Sequence, residues 1–288
     1  MEADMQFKPD PRPSPIAGTW YTGDPHMLAR QVDAYISEAV LAEDEYPGSV
    51  VGLLAPHAGH RYSGRTAGYA YKMVAGAPRP LVVLLSPYHQ YGHGQLLTTA
   101  YSAYQTPLGS VPVAQAALQQ LDKSLREQGL VIEQVAHDEE HSLEIQLPFL
   151  QRAWQTEFSL LPIMLRTLDA AVIQTLAETL FTAVGQEDFL VIASTDLSHF
   201  YPLDLAEALD AEMLRRIKAN QPDKVLTAEQ EGSASACGAG AVAAMLWMAG
   251  YAGADQAYIL HYSTSADATG DAGSVVGYAA AAVMRSAP

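Results

Sequence analysis

The sequence predicts an α/β fold in which helices cover both faces of a mainly parallel sheet. Short, continuous apolar runs such as SVVGLLA (49–55) are typical of strands that are buried on both faces. These runs alternate with longer segments whose apolar residues recur at helical spacing, and this alternation favours parallel strands joined by helices. No stretch rich in Pro, Gly or Ser is long enough to separate two domains. We therefore expect a single domain over residues 1–288, with residues 1–16 as an extended, proline-rich arm.

The predicted elements follow in order along the chain. Helical spacing of apolar residues marks 26–42, 65–76, 111–129, 141–155, 168–184, 202–220 and 234–251. Apolar runs predict strands at 49–55, 80–86, 158–165 and 188–195, and two closing strands in QAYILHYSTSA and SVVGYAAAAVM. Pro148 lies inside the segment 141–155, so we expect a kink there.

Composition excludes several classes of protein. The 288 residues are 49% hydrophobic, as expected of a soluble protein with a large core. Sixteen Lys and Arg stand against 32 Asp and Glu, for a net charge of −16, and without a basic cluster we expect no nucleic-acid partner. No apolar run approaches the roughly 20 residues that span a bilayer, so we expect no membrane association. The single cysteine, Cys237, precludes an internal disulfide and favours a reducing cytoplasm.

Two predicted strands end in a proline that is followed at once, or one residue later, by a histidine. His57 comes after 49–55, and His89 comes after 80–86. A third strand, 188–195, is followed by Asp196 and then His199. Because open parallel sheets bind ligands outside the carboxyl ends of their strands, we expect these four side chains to meet at one edge of the sheet.

Further candidate groups lie at predicted helix starts, with Cys237 near the start of 234–251 and Glu140 and His141 near the start of 141–155. Imidazole suits Zn, Cu, Fe and Ni, and thiolate favours softer metals. Two His with either one Cys or one carboxylate, and with open coordination positions, would make a reactive metal site. Each group also has an ordinary explanation: a loop histidine that binds backbone, a small buried cysteine, or a solvated or helix-capping acidic turn at 138–140.

Other motifs give weaker signals. The sequence GAGAVA (238–243) matches a dinucleotide fingerprint but no strand precedes it, so its glycines are predicted to allow close packing instead. Three further histidines lie in polar loops and are expected to be exposed: His60, His93 and His137.

Eight sequence blocks, in this order, resemble the MEMO family, called AmmeMemoRadiSam system protein B in prokaryotes. They are AGTWYTGD (17–24), APHAGHRYSG (55–64), SPYHQYGHG (86–94), YQTPLGSVPV (104–113), DEEHSLEIQLPFL (138–150), STDLSHF (194–200), CGAGAV (237–242) and SVVGYAA (274–280). The blocks run from the N-terminal arm to the last strand, so the resemblance covers nearly the whole chain.

This resemblance implies a three-layer α/β/α sandwich similar to the class III extradiol, or LigB-like, dioxygenases. Carried over motif by motif, it implies metal ligation by His57, His89 and Cys237. It places Asp196 and His199 close by as candidate catalytic groups. The family's E-H-S block falls on Glu140, His141 and Ser142, which are expected to border the same pocket, with His141 as a third candidate catalytic group. The implied cofactor is iron(II) or copper, with zinc as a further option.

The chain departs from the family pattern at two points. It has Ser86-Pro87-Tyr88-His89-Gln90 where the family usually has G-P-S-H-H, so Tyr88 is expected to narrow the pocket or supply a hydroxyl. His60 replaces the tyrosine of P-H-A-G-Y. Both changes bear on the substrate more than on metal binding.

Three classes of function fit these residues. The first is a metal-dependent oxidoreductase that acts on an unidentified small molecule, with Asp196 and His199 as acid–base or orienting groups. The second is a non-catalytic protein that binds copper or iron, or binds protein partners, in a redox or radical-SAM-associated pathway. The third and least favoured is a zinc-type hydrolase with Asp196 as its base.

Overall fold

The strands of the protein build one large sheet and a separate hairpin. A computed structural model describes residues 5–42, 45–91, 94–185 and 188–286. The strands in these ranges are β1 Ser49–Ala55, β2 Leu81–Pro87, β3 Leu96–Thr99, β4 Ala103–Thr106, β5 Gly109–Pro112, β6 Ile132–Val135, β7 Ser159–Leu165, β8 Phe189–Ser194, β9 His199–Tyr201, β10 Gln256–Thr264 and β11 Val275–Arg285. The hairpin consists of β4 and β5.

Helices connect most of these strands. The α-helices in the described ranges are α1 Pro25–Glu38, α2 His60–Lys72, α3 Gln115–Arg126, α4 Leu147–Trp154, α5 Ala170–Val184, α6 Leu203–Lys218, α7 Pro222–Glu231, α8 Ala239–Tyr251 and α9 Ala266–Thr269. A 3-10 helix, Glu144–Gln146, leads directly into α4. None of these helices combines the length and the apolar composition that crossing a bilayer requires.

The sheet has the order β10-β11-β1-β8-β2-β7-β3-β6, and β9 pairs with β11 beside this path. The four central strands β1, β8, β2 and β7 run parallel to one another. Antiparallel pairs join β11 to both β1 and β10, and join β3 to β7. The predicted parallel sheet is therefore found at the centre, and the antiparallel pairs lie toward its margins.

Helices pack on both faces of this sheet, which gives the three-layer α/β/α sandwich. One layer contains α1, α2 and α4, with α2 against β1, β10 and β11. The other contains α3, α5, α7 and α8, with α8 against β1, β2 and β8. Helix α8 is apolar on almost every side because it lies between the sheet and α5 and α7, which leaves it no solvent-facing stripe.

The central strands are in a register that brings their carboxyl ends together. Ala55 at the end of β1 pairs with Ser194 at the end of β8. Leu85, two residues before the end of β2, pairs with Ala193. The loops that follow β1, β2 and β8 therefore leave the sheet at the same edge. This is the edge at which the histidines were predicted to lie.

The N-terminal arm runs along the sheet margin beside β3 and β4. Lys8 and Arg12 form isolated bridges with Tyr101 and Tyr104. Met5 and Ile16 are buried, so the arm contributes side chains to the core. The described residues 5–16 form isolated bridges but no helix or strand of the sheet.

Most predicted elements are found, and the differences have local causes. The segment 141–155 is not a kinked helix, because Pro148 lies in the first turn of α4, where a missing N–H costs nothing. Helix α2 begins earlier than expected, at His60. The short strands β3 to β6 and β9 and the helices α7 and α9 were not predicted from the sequence. Strands of about four residues carry too little periodicity to be recognised from sequence.

Candidate metal centre

His57 follows β1 and is almost completely buried. Its Nδ1 lies 3.1 Å from Ser194 Oγ, and Ser194 Oγ lies 2.6 Å from the carbonyl oxygen of Ser142. A carbonyl can only accept, so the Ser194 hydroxyl hydrogen goes to Ser142, and His57 Nδ1 must donate to Ser194. This arrangement leaves the lone pair of His57 Nε2 free to face the site.

His89 follows β2 and binds one carboxylate twice. Its backbone N–H donates to Glu140 Oε2 at 2.6 Å, and its Nδ1 lies 3.0 Å from Glu140 Oε1. Burial alone would raise the pKa of Glu140, but the hydrogen bonds from His89 outweigh it and hold this pKa well below its usual range. Glu140 is therefore an anion that accepts from His89 Nδ1, so His89 Nε2 also keeps its lone pair.

The same pair of groups raises the pKa of His89. Burial of the ring lowers that pKa, but the hydrogen bond and the negative charge of Glu140 outweigh the burial. A histidine that donates through one ring nitrogen to a carboxylate is the usual partner of a metal ion on its other nitrogen.

Cys237 comes just before α8, and its Sγ lies 3.1 Å from His57 Nε2. The backbone N–H of Asp196 donates to the same sulfur at 3.3 Å. Burial, reinforced by the charge of Asp196, raises the pKa of the Cys237 thiol. A metal cation on the sulfur would oppose both effects, because coordinated thiols are deprotonated.

Gly238 is what allows Cys237 to approach the strand ends. A Cβ at this position would lie 2.6 Å from the Ser194 carbonyl oxygen and 2.7 Å from Thr195 Cβ. Any side chain would push α8 away from β8. This confirms the predicted packing role of the glycines in GAGAVA.

Ligand atoms of His57, His89 and Cys237 lie within 4.8 Å of one another. His89, Glu140 and His141 form a second such group in the described residues. The oxygens of Glu140 already accept from the backbone N–H groups of His141 and Ser142 as well as from His89. Glu140 is therefore better placed to orient a ligand than to be one. The first group fits a transition metal, since two imidazole nitrogens and one sulfur suit iron, copper or zinc.

Asp196 lies under the loop that carries His57. Its Oδ1 accepts from the backbone N–H of His57 at 2.7 Å and of Ala58 at 3.3 Å. Burial raises the pKa of Asp196 to about 7, although these two hydrogen bonds oppose the shift. Asp196 was predicted to lie at this edge of the sheet. It lies there in the structure, where its carboxylate supports the backbone of His57.

His141 lies with its ring beside those of the two candidate histidine ligands. Its ring centroid is 4.9 Å from that of His89 in a stacked arrangement and 5.3 Å from that of His57. The ring of Trp20, which follows the N-terminal arm, also packs against His141, with a centroid distance of 4.0 Å. Burial lowers the pKa of His141 to about 4, although Glu140 opposes the shift.

His199 begins β9, and its Nδ1 lies 2.8 Å from the Leu197 carbonyl oxygen. The carbonyl can only accept, so His199 Nε2 is left without a hydrogen. Burial lowers the pKa of His199, and its charge when protonated would in turn lower the pKa of His57. His199 belongs to neither ligand group found among the described residues.

Two cavities border the candidate centre from different sides. One, of about 290 Å³, is lined by His89, Cys237 and Tyr88, the residue expected to narrow the pocket. The other, of about 500 Å³, is lined by Trp20 and by Ala58, the neighbour of His57. The first cavity therefore gives a small molecule access to two residues of the ligand group, whereas the second reaches only the loop beside His57.

Several important side chains were not singled out by the sequence analysis. Ser194 and Trp20 lie inside quoted blocks, but nothing in their type or spacing shows which ring they would contact. Glu140 was a candidate at a predicted helix start, but its position in the sequence did not show that it would bind His89. The expectation that His60 is exposed was wrong: it is 2% exposed because the rings of Tyr21, Tyr35 and Phe149 enclose it. His137 is exposed as expected, and His93 lies outside the described residues.

Comparison with known proteins identifies a family for the chain. A family model described as Memo-like protein matches residues 12–282. The chain belongs to the Memo-like family. This confirms the family that the eight sequence blocks resembled.

Relatives in this family have been named MEMO1 family proteins. One from Methanothermobacter thermautotrophicus is 34% identical over 274 residues, which cover 92% of this chain and 97% of the relative. One from Methanopyrus kandleri is 32% identical over 279 residues, with 94% and 98% covered. One from Nitrosopumilus maritimus is 30% identical over 268 residues, with 92% and 96% covered.

A solved structure shares the fold at low sequence identity. It is an uncharacterized protein from Escherichia coli with a TM-score of 0.52 and 15% identity, and the match covers 81% of this chain and 99% of that one. At this identity the likeness concerns the fold alone, and it is consistent with the three-layer sandwich.

Proposed function

We propose that this Memo-like protein holds one iron(II) or copper ion on His57 Nε2, His89 Nε2 and Cys237 Sγ, and uses it for redox chemistry on a small molecule. One observation carries the proposal. Both imidazoles donate through Nδ1, to Ser194 and to Glu140, so both Nε2 lone pairs are available beside one sulfur. Three protein ligands leave coordination positions open, which is typical of catalytic metal sites.

A bound iron or copper ion would supply one-electron chemistry at the open positions. The protein would supply the surroundings. The Asp196 carboxyl group, with a pKa of about 7, is suited to hold or release a proton near neutral pH. The backbone N–H of the same residue donates to Cys237 Sγ, so Asp196 lies beside the proposed ligand. His199 and His141 present further imidazoles at the border of the site, and we assign all three residues to proton handling and substrate orientation.

A second candidate function has one observation in its favour. The third donor is the sulfur of Cys237, whereas the facial triad of non-haem iron oxygenases has a carboxylate. A soft thiolate favours copper(I) and tight binding of the metal ion. The alternative is therefore a protein that binds copper or iron without turnover and acts through protein partners. A zinc-type hydrolase needs the same residues and is the least favoured reading.

The first test is the metal content of protein purified without oxygen and without a nickel column. Wild type is compared with His57→Ala and Cys237→Ser, and with His261→Ala as the control. His261 stacks on Tyr69, away from the ligand group, at a ring distance of 4.2 Å. We expect about one iron or copper ion per chain in wild type and His261→Ala, and a loss of roughly tenfold or more in the other two variants.

Equal metal content in all four proteins would contradict the proposal. Stoichiometric zinc in place of iron or copper would favour the hydrolase. If iron or copper is bound, oxygen consumption in the presence of small phenols and thiols separates the first two functions. Consumption that disappears in Cys237→Ser supports the oxidoreductase, and bound metal without any consumption supports the metal holder.

A further inference from the structure

Arg12 is a buried cation that belongs to the N-terminal arm, far in sequence from the candidate metal centre. It is 2% exposed. Its NH1 group donates to Glu144 Oε2 at 2.8 Å, and its NH2 group donates to Asp138 Oδ1 at 2.6 Å. The NH2 group also donates to the carbonyl oxygen of Glu140 at 2.7 Å. One guanidinium thus contacts three residues of the loop that ends in the 3-10 helix.

Strand β4 holds Arg12 through both its backbone and its side chain. Its backbone N–H donates to the Ala103 carbonyl oxygen at 2.7 Å, and its own carbonyl accepts from the Gln105 N–H at 3.0 Å. The guanidinium lies over the ring of Tyr104 at 5.2 Å. Because β4 fixes the start of the side chain, the position of the guanidinium is fixed relative to the β4–β5 hairpin.

The contacts of Arg12 continue to His89 through Glu140. The Asp138 carboxylate, which Arg12 binds, also accepts from the backbone N–H of Glu140 at 3.1 Å. Arg12 therefore holds the main chain of Glu140 on both sides, through its N–H by way of Asp138 and directly through its carbonyl. The Glu140 carboxylate then binds His89 through both the backbone N–H and Nδ1.

Charge gives a second reason why the position of Glu140 depends on Arg12. Asp138, Glu140 and Glu144 bring three buried carboxyl groups to one loop. Burial raises the pKa of Glu144, and Arg12 is among the groups that oppose that shift. Without a cation in this place, the carboxylates would repel one another in a medium that screens them poorly, and the loop would move apart.

We propose that Arg12 is a positioning residue of the metal site: it acts through Asp138 and the main chain of Glu140 to keep the Glu140 carboxylate against His89. This inference rests on the proposed function. The N-terminal arm then supports the metal site indirectly: Arg12 positions Glu140, and the Glu140 carboxylate orients His89.

The test is a double-mutant cycle on metal affinity. Cobalt(II) alone is the probe, titrated without oxygen in competition with a chelator, on wild type, Arg12→Lys, Glu140→Gln and the variant that carries both changes. Lysine keeps the charge but cannot reproduce the fork of hydrogen bonds. We expect each single change to weaken binding by about tenfold. Because Arg12 acts through Glu140, the double variant should bind about as Glu140→Gln does.

The matched control is Arg152→Lys. Arg152 also forms a two-point ion pair, with Asp33 at 2.8 Å and 2.7 Å, and that pair joins α4 to α1 without contact to the site. We expect wild-type affinity for this control. The visible bands of bound cobalt(II) report ligand geometry, and they should shift in Arg12→Lys and Glu140→Gln but not in Arg152→Lys.

Asp138→Asn is the second variant, in case Arg12→Lys does not fold by circular dichroism. It keeps Arg12 and Glu144 in place, and we expect a smaller loss of affinity in the same direction. Wild-type affinity in a folded Arg12→Lys or Asp138→Asn would overturn the inference, as would losses that simply multiply in the double variant. Wild type that binds no cobalt(II), iron or copper would instead contradict the proposed function.

Discussion

Two serines at strand ends show how single residues differ in importance at this site. Ser194 ends β8, and its hydroxyl meets His57 Nδ1, the Ser142 carbonyl and Gln146 Nε2. Ser86 lies near the end of β2, and its hydroxyl donates to the Pro87 carbonyl. That carbonyl also accepts from Ser142, so it keeps a partner without Ser86. Both residues are buried hydroxyls, but more polar groups depend on Ser194 than on Ser86 for a hydrogen-bond partner.

We therefore predict unequal effects of the same substitution. Ser194→Ala leaves buried polar groups of His57 and Ser142 unsatisfied, so the free energy of unfolding should fall by about 1–3 kcal/mol. Metal affinity should fall about tenfold, because the His57 tautomer is no longer fixed. Ser86→Ala should cost about 1 kcal/mol or less and leave metal affinity unchanged. Urea unfolding and metal titration check both, and equal effects would show that Ser194 does not fix the ring.

At the scale of the element, helix α8 carries Cys237 to the strand ends. Its approach is set by Gly238 at the helix start, whose Cα faces the main chain of β8. Gly250, near the other end of the helix, has no atom within 4 Å of the place where a Cβ would lie. Of these two glycines, packing requires Gly238 and does not require Gly250.

We predict opposite signs for alanine at these two glycines. Gly238→Ala forces α8 away from β8, and we expect a loss of about 1–3 kcal/mol in unfolding free energy together with weaker metal binding. Gly250→Ala removes backbone freedom from the unfolded chain, and we expect a gain of roughly 0.5–1 kcal/mol with unchanged metal binding. Denaturant midpoints measure both changes. Stability gained by Gly238→Ala would show that α8 has room to move.

At the scale of the whole molecule, buried histidines couple global stability to pH. His60 is enclosed by aromatic rings, and burial lowers its pKa to about 4 from an ordinary value of 6.5. Between these values the unfolded chain takes up a proton at His60 and the folded chain does not. Stability is therefore full above pH 6.5 and is lost as the pH falls toward 4.

We predict that His60→Phe removes part of this dependence. The shift corresponds to about 3 kcal/mol of unfolding free energy over the window. Burial also lowers the pKa values of His57 and His141, so the difference between variant and wild type is the informative quantity. Unfolding by urea from pH 7 to pH 4 should give a shallower slope for His60→Phe. His26→Gln, at an exposed position of α1, serves as the control and should follow wild type; a wild-type slope for His60→Phe would contradict the prediction.

Much of the fold and of the candidate site followed from local pattern. Buried strands are recognisable in the sequence as apolar runs, so the ends of β1, β2, β7 and β8 were predictable to within one or two residues. Parallel strands send their carboxyl ends to one edge, so the convergence of His57 and His89 on Asp196 was predictable as well. The identity of the family followed from eight blocks of sequence rather than from any periodicity.

Long-range contacts decided the rest. Arg12 in the arm, Glu140 before α4 and Ser194 in β8 are separated by more than 50 residues at each step, and no spacing rule joins them. Whether His60 is exposed depended on three rings from distant segments. The sequence by itself determined the layers and the sheet edge at which the candidate ligands lie, because burial and periodicity are local properties of the chain. Only the tertiary structure decided which nitrogen each histidine offers, because a tautomer is set by a hydrogen-bond partner that folding brings from elsewhere.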